Sequence, residues 1–167
     1  MPSTPPGVCR AWTPSGSPSW AAARGATALA VGGLVPDLAA VVAYVPFLCD
    51  IARAITITDA YPFREVADYL AIHREKVDVV LRTLGYIDGV AFARRATAPA
   101  YFSAALMDAI VPPSTVFAAH NVYAAPAQMR VWPFNGHEAG AVVDDEEAMA
   151  FLDGVLAGRP VTGSPAT

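Results

Sequence analysis

The pattern of hydrophobic and polar positions changes near Ala26 and divides the chain into unlike parts. Residues 1–25 are crowded with proline, serine and glycine, and they follow neither the two-residue period of a strand nor the 3.6-residue period of a helix. The pattern therefore predicts an irregular or disordered tail over residues 1–25. A partial domain of alternating strand and helix patterns follows over residues 26–158, and residues 159–167 are predicted to be a C-terminal tail.

Three segments of strand length predict the sheet, namely 39–45, 97–106 and 127–134, and the first of them is a continuous apolar run. Helical patterns lie before and between them, at 26–35, 63–84, 88–95 and in a segment that begins at Ser114. Strands separated by helices favour parallel pairing with right-handed crossovers. The predicted fold class is α/β, with about three parallel strands flanked by helices. Such a sheet is typical of the C-terminal half of a doubly wound domain rather than of a complete one.

Capping residues predict where two of the helices begin. Ser114 is expected to cap the helix that runs through Val116. The last helix is expected to begin at Asp144, with Glu147 three residues later as the second member of a capping box. The residues of this last helix that the pattern predicts to be buried are Met149, Leu152, Val155 and Leu156, and its predicted end is marked by Gly158 and Pro160.

Composition and charge exclude several classes of function. A chain of 167 residues with 54% hydrophobic content has enough apolar surface for a core. The net charge of −4 comes without a basic cluster, so neither nucleic acid nor an anionic membrane surface is an expected partner. The spacing of Cys9 and Cys49 predicts two reduced thiols rather than a disulfide or a zinc site, and no cofactor is expected.

The apolar stretch 26–48 is not expected to span a membrane, because Pro36 and Asp37 split it into two short pieces. The N-terminus lacks a charged segment ahead of a continuous apolar one, so no secretory signal is evident. A cytoplasmic location is therefore the default expectation.

Several segments in order resemble the acetyl xylan esterase and cephalosporin C deacetylase family of α/β-hydrolases. They are LVPDLAAVVAYVPFLCD, ITITDAYPFREVADYLAIHR, RTLGYIDGVAFARR, LMDAIVPPSTVFAAHN and FNGHEAG. This resemblance implies removal of acetyl groups from xylo-oligosaccharides or cephalosporin C through a serine acyl-enzyme. It also implies a cytoplasmic homo-oligomer whose partner is an acetylated sugar or small acetyl ester.

The same resemblance assigns two catalytic residues. The aspartate of L-M-D is Asp108, and the histidine of G-H-E is His137. In this fold the triad follows the chain order Ser, Asp, His. By spacing alone, an aspartate before two prolines is often a turn former and a histidine after glycine is often a loop residue, so the resemblance carries the assignment.

Other chemistry-bearing residues have simpler interpretations. His73 and His120 lie on helical stripes, which favours a partly buried core or interface position for each. Ser103 and Ser114 lack flanking glycines and are interpreted as strand and cap residues. Tyr123 and Trp132 could stack on a sugar, but aromatic residues at such spacings are more often part of a core.

The nucleophile serine is missing, because the chain contains no G-x-S-x-G. The family places this elbow immediately before ALAVGGLVPD, where the chain instead has SWAAARGAT. Written in GC-rich codons and read two bases later, residues 12–25 give D-P-E-R-I-A-V-V-G-G-S-Q-G. The hypothesis is that the tail is a frame-shifted form of the nucleophile strand and elbow.

These observations lead to one expected function and two alternatives. The expectation is a carbohydrate acetyl esterase that is truncated and inactive by itself, since its nucleophile is missing. One alternative is a noncatalytic binding or interaction module derived from the esterase fold. The other is a different serine hydrolase of the same fold, such as a peptidase, which the RTLGYIDGVAFARR and PPSTVFAAHN segments disfavour.

Overall fold

Four parallel strands form the sheet of this protein. The computed structural model describes residues 19–162, with side chains from residue 25 onward. The strands are β1 (Ser19–Arg24), β2 (Leu38–Tyr44), β3 (Ala100–Ala105) and β4 (Ala127–Trp132), and they lie side by side in chain order. The predicted α/β class and the parallel pairing of the three expected strands are confirmed.

Strand β1 corrects the prediction of an irregular tail over residues 1–25. Its six residues pair in parallel with β2, from Trp20 opposite Ala40 to Arg24 opposite Tyr44. An alanine-rich segment has little intrinsic strand preference, and the backbone hydrogen bonds of a neighbouring strand override that preference. The rest of the predicted tail, residues 1–18 with Cys9, lies outside the described residues.

Helices cover both faces of the sheet. One face packs against α1 (Thr27–Leu34), α5 (Gly89–Ala93) and α6 (Pro113–Asn121), whose core includes Leu29, Val41 and Phe102. The other face packs against α7 (Ala141–Leu156), with Val42, Tyr101 and Phe151 between them. Strand β3 is buried along its whole length, as expected for a central strand that is covered on both faces.

A helical segment connects β2 to α5. It consists of α2 (Ile51–Ile57), α3 (Phe63–Ile72), a 3₁₀ turn at Arg74–Lys76 and α4 (Val77–Leu84). The predicted stripe over 63–84 therefore lies on two helices. They pack on α2 through a small cluster that includes Ile55, Phe63 and Leu81, so this segment forms its own layer beside the sheet.

The predicted cap of α6 is wrong. Helix α6 begins at Pro113, with Pro112 in the cap position, so Ser114 lies inside the first turn. Proline suits the first position of a helix because it has no N–H to satisfy there. The Ser114 hydroxyl instead accepts a hydrogen bond from Arg53 Nε at 2.9 Å.

The predicted start of the last helix is also wrong. Helix α7 begins three residues before Asp144, and no side chain caps it. Asp144 is buried and accepts a hydrogen bond from the Tyr101 hydroxyl at 2.6 Å, while Glu147 forms an ion pair with Arg130 at 3.1 Å. Contacts with the sheet, rather than capping, therefore occupy both acidic side chains.

The buried side of α7 differs from the predicted one. Leu152 is buried and Val155 is partly buried against the same cluster, as expected, but Met149 is 52% exposed and Leu156 is 47% exposed. The positions that are buried instead include Ala148 and Phe151. Asp144, which bonds to Tyr101 of the sheet, lies on this buried side, so the buried side follows from tertiary packing.

Within residues 19–162, no helix is long and apolar enough to cross a membrane.

Candidate active site

The site lies where β3 and β4 end. The two strands are parallel neighbours, with Ala105 opposite Trp132 in the register. The loops that follow them are joined by backbone hydrogen bonds, from Leu106 N to Trp132 O at 3.0 Å and from Met107 N to Asn135 O at 3.1 Å. Carboxyl ends of parallel strands are where open α/β sheets place their sites. This edge brings Asp108 and His137 together across 29 residues of sequence.

Asp108 uses both oxygens of its carboxylate. Oδ1 accepts hydrogen bonds from the backbone amides of Ile110 at 2.8 Å and Val111 at 2.9 Å. Oδ2 lies 2.9 Å from Nδ1 of His137. The side chain is completely buried, so the two backbone donors hold the carboxyl group in one orientation without competition from water.

His137 combines a fixed ring with an open edge. Its Nδ1 is held by Asp108, and 43% of its side chain is exposed. A carboxylate at Nδ1 favours the tautomer that carries its proton there, which leaves the lone pair of Nε2 free. The imidazole can therefore accept a proton at Nε2 from a nearby hydroxyl while the carboxylate stabilises the resulting cation.

The turn between β1 and α1 is a third feature of this edge. Strand β1 ends at Arg24, Gly25 has φ +90°, and α1 begins at Thr27. A strand, a sharp turn and a helix in direct succession form the type of connection that carries the nucleophile in α/β-hydrolases. Here the turn consists of Gly25 and Ala26, neither of which has a hydroxyl group.

The two serines considered in the sequence lie elsewhere. Ser103 is completely buried within β3, and its hydroxyl has no hydrogen-bond partner among the described residues. Ser114 lies in α6 and bonds to Arg53. Neither appears among the hydrogen-bond partners of His137 in the part of the chain that the structure describes.

The remaining histidines and aromatic residues have structural surroundings. His120 is buried with its ring edge-on to Phe102, and His73 is half-buried beside Tyr69. The Tyr123 hydroxyl donates to Ala98 O at 2.9 Å. Trp132 packs against the core, with the Arg130 guanidinium 4.4 Å from its ring. Both aromatic side chains therefore serve the core, and they provide no separate support for a sugar-binding module.

Sequence reasoning missed Asp88. Its Oδ1 accepts from the amides of Asp50 at 3.0 Å and Val90 at 2.9 Å, and its Oδ2 accepts from Ile51 at 2.8 Å. It thus caps α5 and also holds the start of α2, 37 residues away. An aspartate before a short helix signals the first role, but only the tertiary structure shows the second.

Cys49 lies beside the Asp88 region, and its thiol is unreactive. It is buried, and Gly89 lies so close that an added Cβ would be 2.6 Å from the sulfur. Burial above all, and then the carboxylates of Asp88 and Asp50, raise the pKa of the Cys49 thiol far above its ordinary value. The thiol therefore stays protonated at neutral pH, which argues against a role as nucleophile.

No group of three or more histidine, cysteine, aspartate or glutamate side chains within the described range is arranged to hold a metal ion.

Comparison with known proteins points to one family. The family model of acetyl xylan esterase (AXE1) matches residues 19–155, from the first residue of β1 almost to the end of α7. The acetyl esterase Axe7A of Xylanibacter ruminicola is 35% identical over 115 residues, which cover 68% of this chain and 25% of that protein.

Solved structures give the same result. The acetyl xylan esterase from Paenibacillus sp. R4 is 31% identical with a TM-score of 0.74, over 79% of this chain and 44% of that one. Acetyl xylan esterase 1 from Thermoanaerobacterium sp. JW/SL YS485 is 30% identical with a TM-score of 0.72, over 80% of this chain and 45% of that one. The chain thus spans less than half the length of each of these relatives.

Proposed function

Because the chain belongs to the acetyl xylan esterase family, we propose that it carries the acid–base half of a serine carbohydrate acetyl esterase. His137 is the general base and acid, and Asp108 orients it. The observation that carries this proposal is the 2.9 Å contact between His137 Nδ1 and Asp108 Oδ2 at adjacent strand ends. The proposed substrates are acetylated xylo-oligosaccharides, with cephalosporin C as a second acetyl ester.

The proposed chemistry runs in two steps. A serine oxygen attacks the acetyl carbonyl while Nε2 of His137 takes the hydroxyl proton, and the same proton then passes to the departing sugar alcohol. In the second step His137 takes a proton from water, whose oxygen attacks the acyl-serine. The bond between the serine oxygen and the acyl carbon then breaks, the serine oxygen takes the proton back from His137, and acetate is released. In both steps Asp108 stabilises the imidazolium and keeps Nδ1 protonated.

The proposal includes the loss of the nucleophile from this chain. We propose that its place is the turn between β1 and α1, where the chain has Gly25 and Ala26. Loss of a catalytic serine reduces turnover by about a millionfold in a well-studied triad. The chain by itself is therefore expected to be inactive. The frame-shift hypothesis offers a reason, since residues 12–25 written in GC-rich codons and read two bases later give a strand and G-G-S-Q-G.

Two experiments test this proposal. The first is the nucleotide sequence across residues 12–25, which must encode the elbow in another frame; if it does not, the frame-shift hypothesis is wrong. The second replaces residues 12–25 with D-P-E-R-I-A-V-V-G-G-S-Q-G and measures labelling of serine by a fluorophosphonate probe. We expect labelling of the restored chain, a strong decrease when His137→Ala is added, and no labelling of the unaltered chain.

Hydrolysis of p-nitrophenyl acetate supplies the functional comparison. The unaltered, monodisperse chain and its His137→Ala variant are expected to have equal rates, because the imidazole has no serine to activate. A rate that the His137→Ala substitution abolishes would mean that this chain contains its own nucleophile, and the proposal of an inactive chain would fail.

The homo-oligomer and the cytoplasmic location stay predictions that come from the family. Light scattering on purified chain measures the first, and fractionation of the source cells measures the second.

A further inference from the structure

We propose that Glu138 is a positioning residue for His137, whose carboxylate holds the loop that presents the imidazole to Asp108. This inference rests on the proposed function, since it assigns a residue that supports the same catalytic pair. It concerns the loop between β4 and α7, which carries His137 on an exposed turn. An exposed histidine needs a constraint on its backbone if its ring is to stay in one orientation.

The Glu138 side chain supplies that constraint by accepting hydrogen bonds from residues that precede His137. Its Oε1 accepts hydrogen bonds from Asn135 Nδ2 and from Gly136 N, both at 3.1 Å. The two donors lie on one side of His137 in the chain and the acceptor lies on the other. The carboxylate therefore closes a hydrogen-bonded turn that contains His137.

This hydrogen-bonded turn is connected directly to the loop that carries Asp108. Asn135, which donates its side-chain amide to Glu138, accepts with its backbone oxygen from Met107 N at 3.1 Å. Met107 is the residue before Asp108. These hydrogen bonds thus connect both members of the pair. They hold the backbone on either side of His137, and they hold Asp108 through its neighbour Met107.

The rest of the loop shows why such a constraint is needed. Ala139 and Ala141, on the C-terminal side of His137, have φ values of 52° and 48°. A residue with a Cβ adopts this left-handed region only at a cost in free energy, so surrounding contacts must hold it there. Gly136 fits the carboxylate closely, because an added Cβ would lie 3.1 Å from Glu138 Oε2.

The charge of Glu138 suits this role. Hydrogen bonds from its own backbone amide, then from Gly136 and Asn135, lower the pKa of the Glu138 carboxyl below its ordinary value. The group is therefore an ionised acceptor at neutral pH. Its hydrogen bonds go to loop atoms, which makes it a positioning residue rather than a catalytic one.

The test measures which nitrogen of His137 carries the proton. Long-range ¹H–¹⁵N correlation spectra of the full chain at about pH 9, well above the ordinary imidazole pKa, give the ratio of the two neutral tautomers. The variants are Glu138→Ala, Glu138→Gln and Asn135→Ala. Glu146→Ala is the matched control, since it removes another exposed carboxylate, on α7. Asp108→Asn replaces the carboxylate oxygen that faces His137 Nδ1 with an amide nitrogen.

We expect the unaltered chain, Glu138→Gln and Glu146→Ala to have mainly the tautomer protonated on Nδ1, since glutamine keeps the accepting oxygen. Glu138→Ala should lower the ratio of Nδ1-H to Nε2-H by about threefold or more. Asn135→Ala, which removes one of the two hydrogen bonds, should lower it less. Far-UV circular dichroism checks that each variant is folded, and Asn135→Ala alone carries the test if Glu138→Ala does not fold.

Each remaining outcome has a definite meaning. If Asp108→Asn changes the ratio but neither Glu138→Ala nor Asn135→Ala does, the role of Glu138 is overturned and the proposed function stands. If the unaltered chain does not favour the Nδ1 tautomer, or Asp108→Asn leaves the ratio unchanged, the Asp108–His137 pair does not persist in solution. Both proposals then fail together.

Discussion

The carboxylate of Asp108 makes three hydrogen bonds, which are divided between its two oxygens. One oxygen bonds to backbone amides of its own loop, and the other bonds to the candidate catalytic histidine. Oδ1 satisfies the amides of Ile110 and Val111, while Oδ2 faces His137. The first oxygen therefore fixes the loop, and the second orients the imidazole. A substitution that spares one oxygen and alters the other can separate these two roles.

Asp108→Ala and Asp108→Asn are predicted to differ in stability. Alanine leaves the amides of Ile110 and Val111 without their acceptor, which should lower the free energy of unfolding by about 1–3 kcal/mol. Asparagine keeps a carbonyl oxygen for these amides and should lower it by less. Urea unfolding measures both, with the exposed Asp145→Ala as a control that should change stability by no more than about 0.5 kcal/mol. Equal stability of the two Asp108 variants would contradict this division of roles.

Helix α7 follows directly after the loop that carries His137. The helix meets the sheet at Gly140, where an added Cβ would lie 2.2 Å from two atoms of the Trp132 ring. Arg130 lies on the same indole and pairs with Glu147 of the helix. The start of α7 is therefore wedged against the end of β4, which fixes the distance that the loop between them must span.

Gly140→Ala should disturb this junction. Gly140 has φ −85°, which alanine adopts readily, so any loss of stability comes from the clash with Trp132 and not from the backbone. We expect the free energy of unfolding to fall by about 1–3 kcal/mol. Gly154→Ala is the matched control within α7, because the nearest atoms, at 3.3 Å, belong to the exposed side chain of Arg159.

That control should be neutral or stabilising by up to about 1 kcal/mol, since alanine is favoured over glycine inside a helix. Thermal and urea unfolding of the two variants make the comparison. A Gly140→Ala variant as stable as Gly154→Ala would mean that the loop or the indole moves freely. The close packing of Gly140 against Trp132 would then not constrain the loop.

At the scale of the whole molecule, β1 decides how the sheet ends. It pairs with β2 alone among the described strands, and β2 would become the edge of the sheet without it. The central residues of β2 are completely buried. An exposed apolar edge of this type is prone to aggregation.

Two shortened chains test the contribution of β1. One begins at Ser19 and the other at Ala26, so they differ only in β1 and the glycine after it. We expect the midpoint of thermal unfolding to be lower by about 10 °C or more in the shorter chain, or its cooperative transition to be lost. Size-exclusion chromatography should show more aggregate. Identical unfolding curves would mean that β1 does not pair with β2 in solution.

Much of the architecture follows from local patterns. Strand β2 is a continuous apolar run and residues 63–84 have the helical period, so the α/β class and the parallel pairing could be predicted from the sequence. The rotation of α7 and the position of Ser114 could not. Each depends on a competing contact, with Tyr101 in one case and with Pro113 and Arg53 in the other.

From the sequence alone we could derive the α/β class, the order of Asp108 before His137, the absence of a G-x-S-x-G motif, and the resemblance to the acetyl xylan esterases. These are properties of neighbouring residues or of their order. The folded arrangement was needed to show that residues 19–24 form a strand, that Asp88 joins two helices, and that Glu138 closes the loop around His137. These features depend on backbone conformation and on hydrogen bonds whose partners no sequence period identifies, and such bonds form only once the chain has folded.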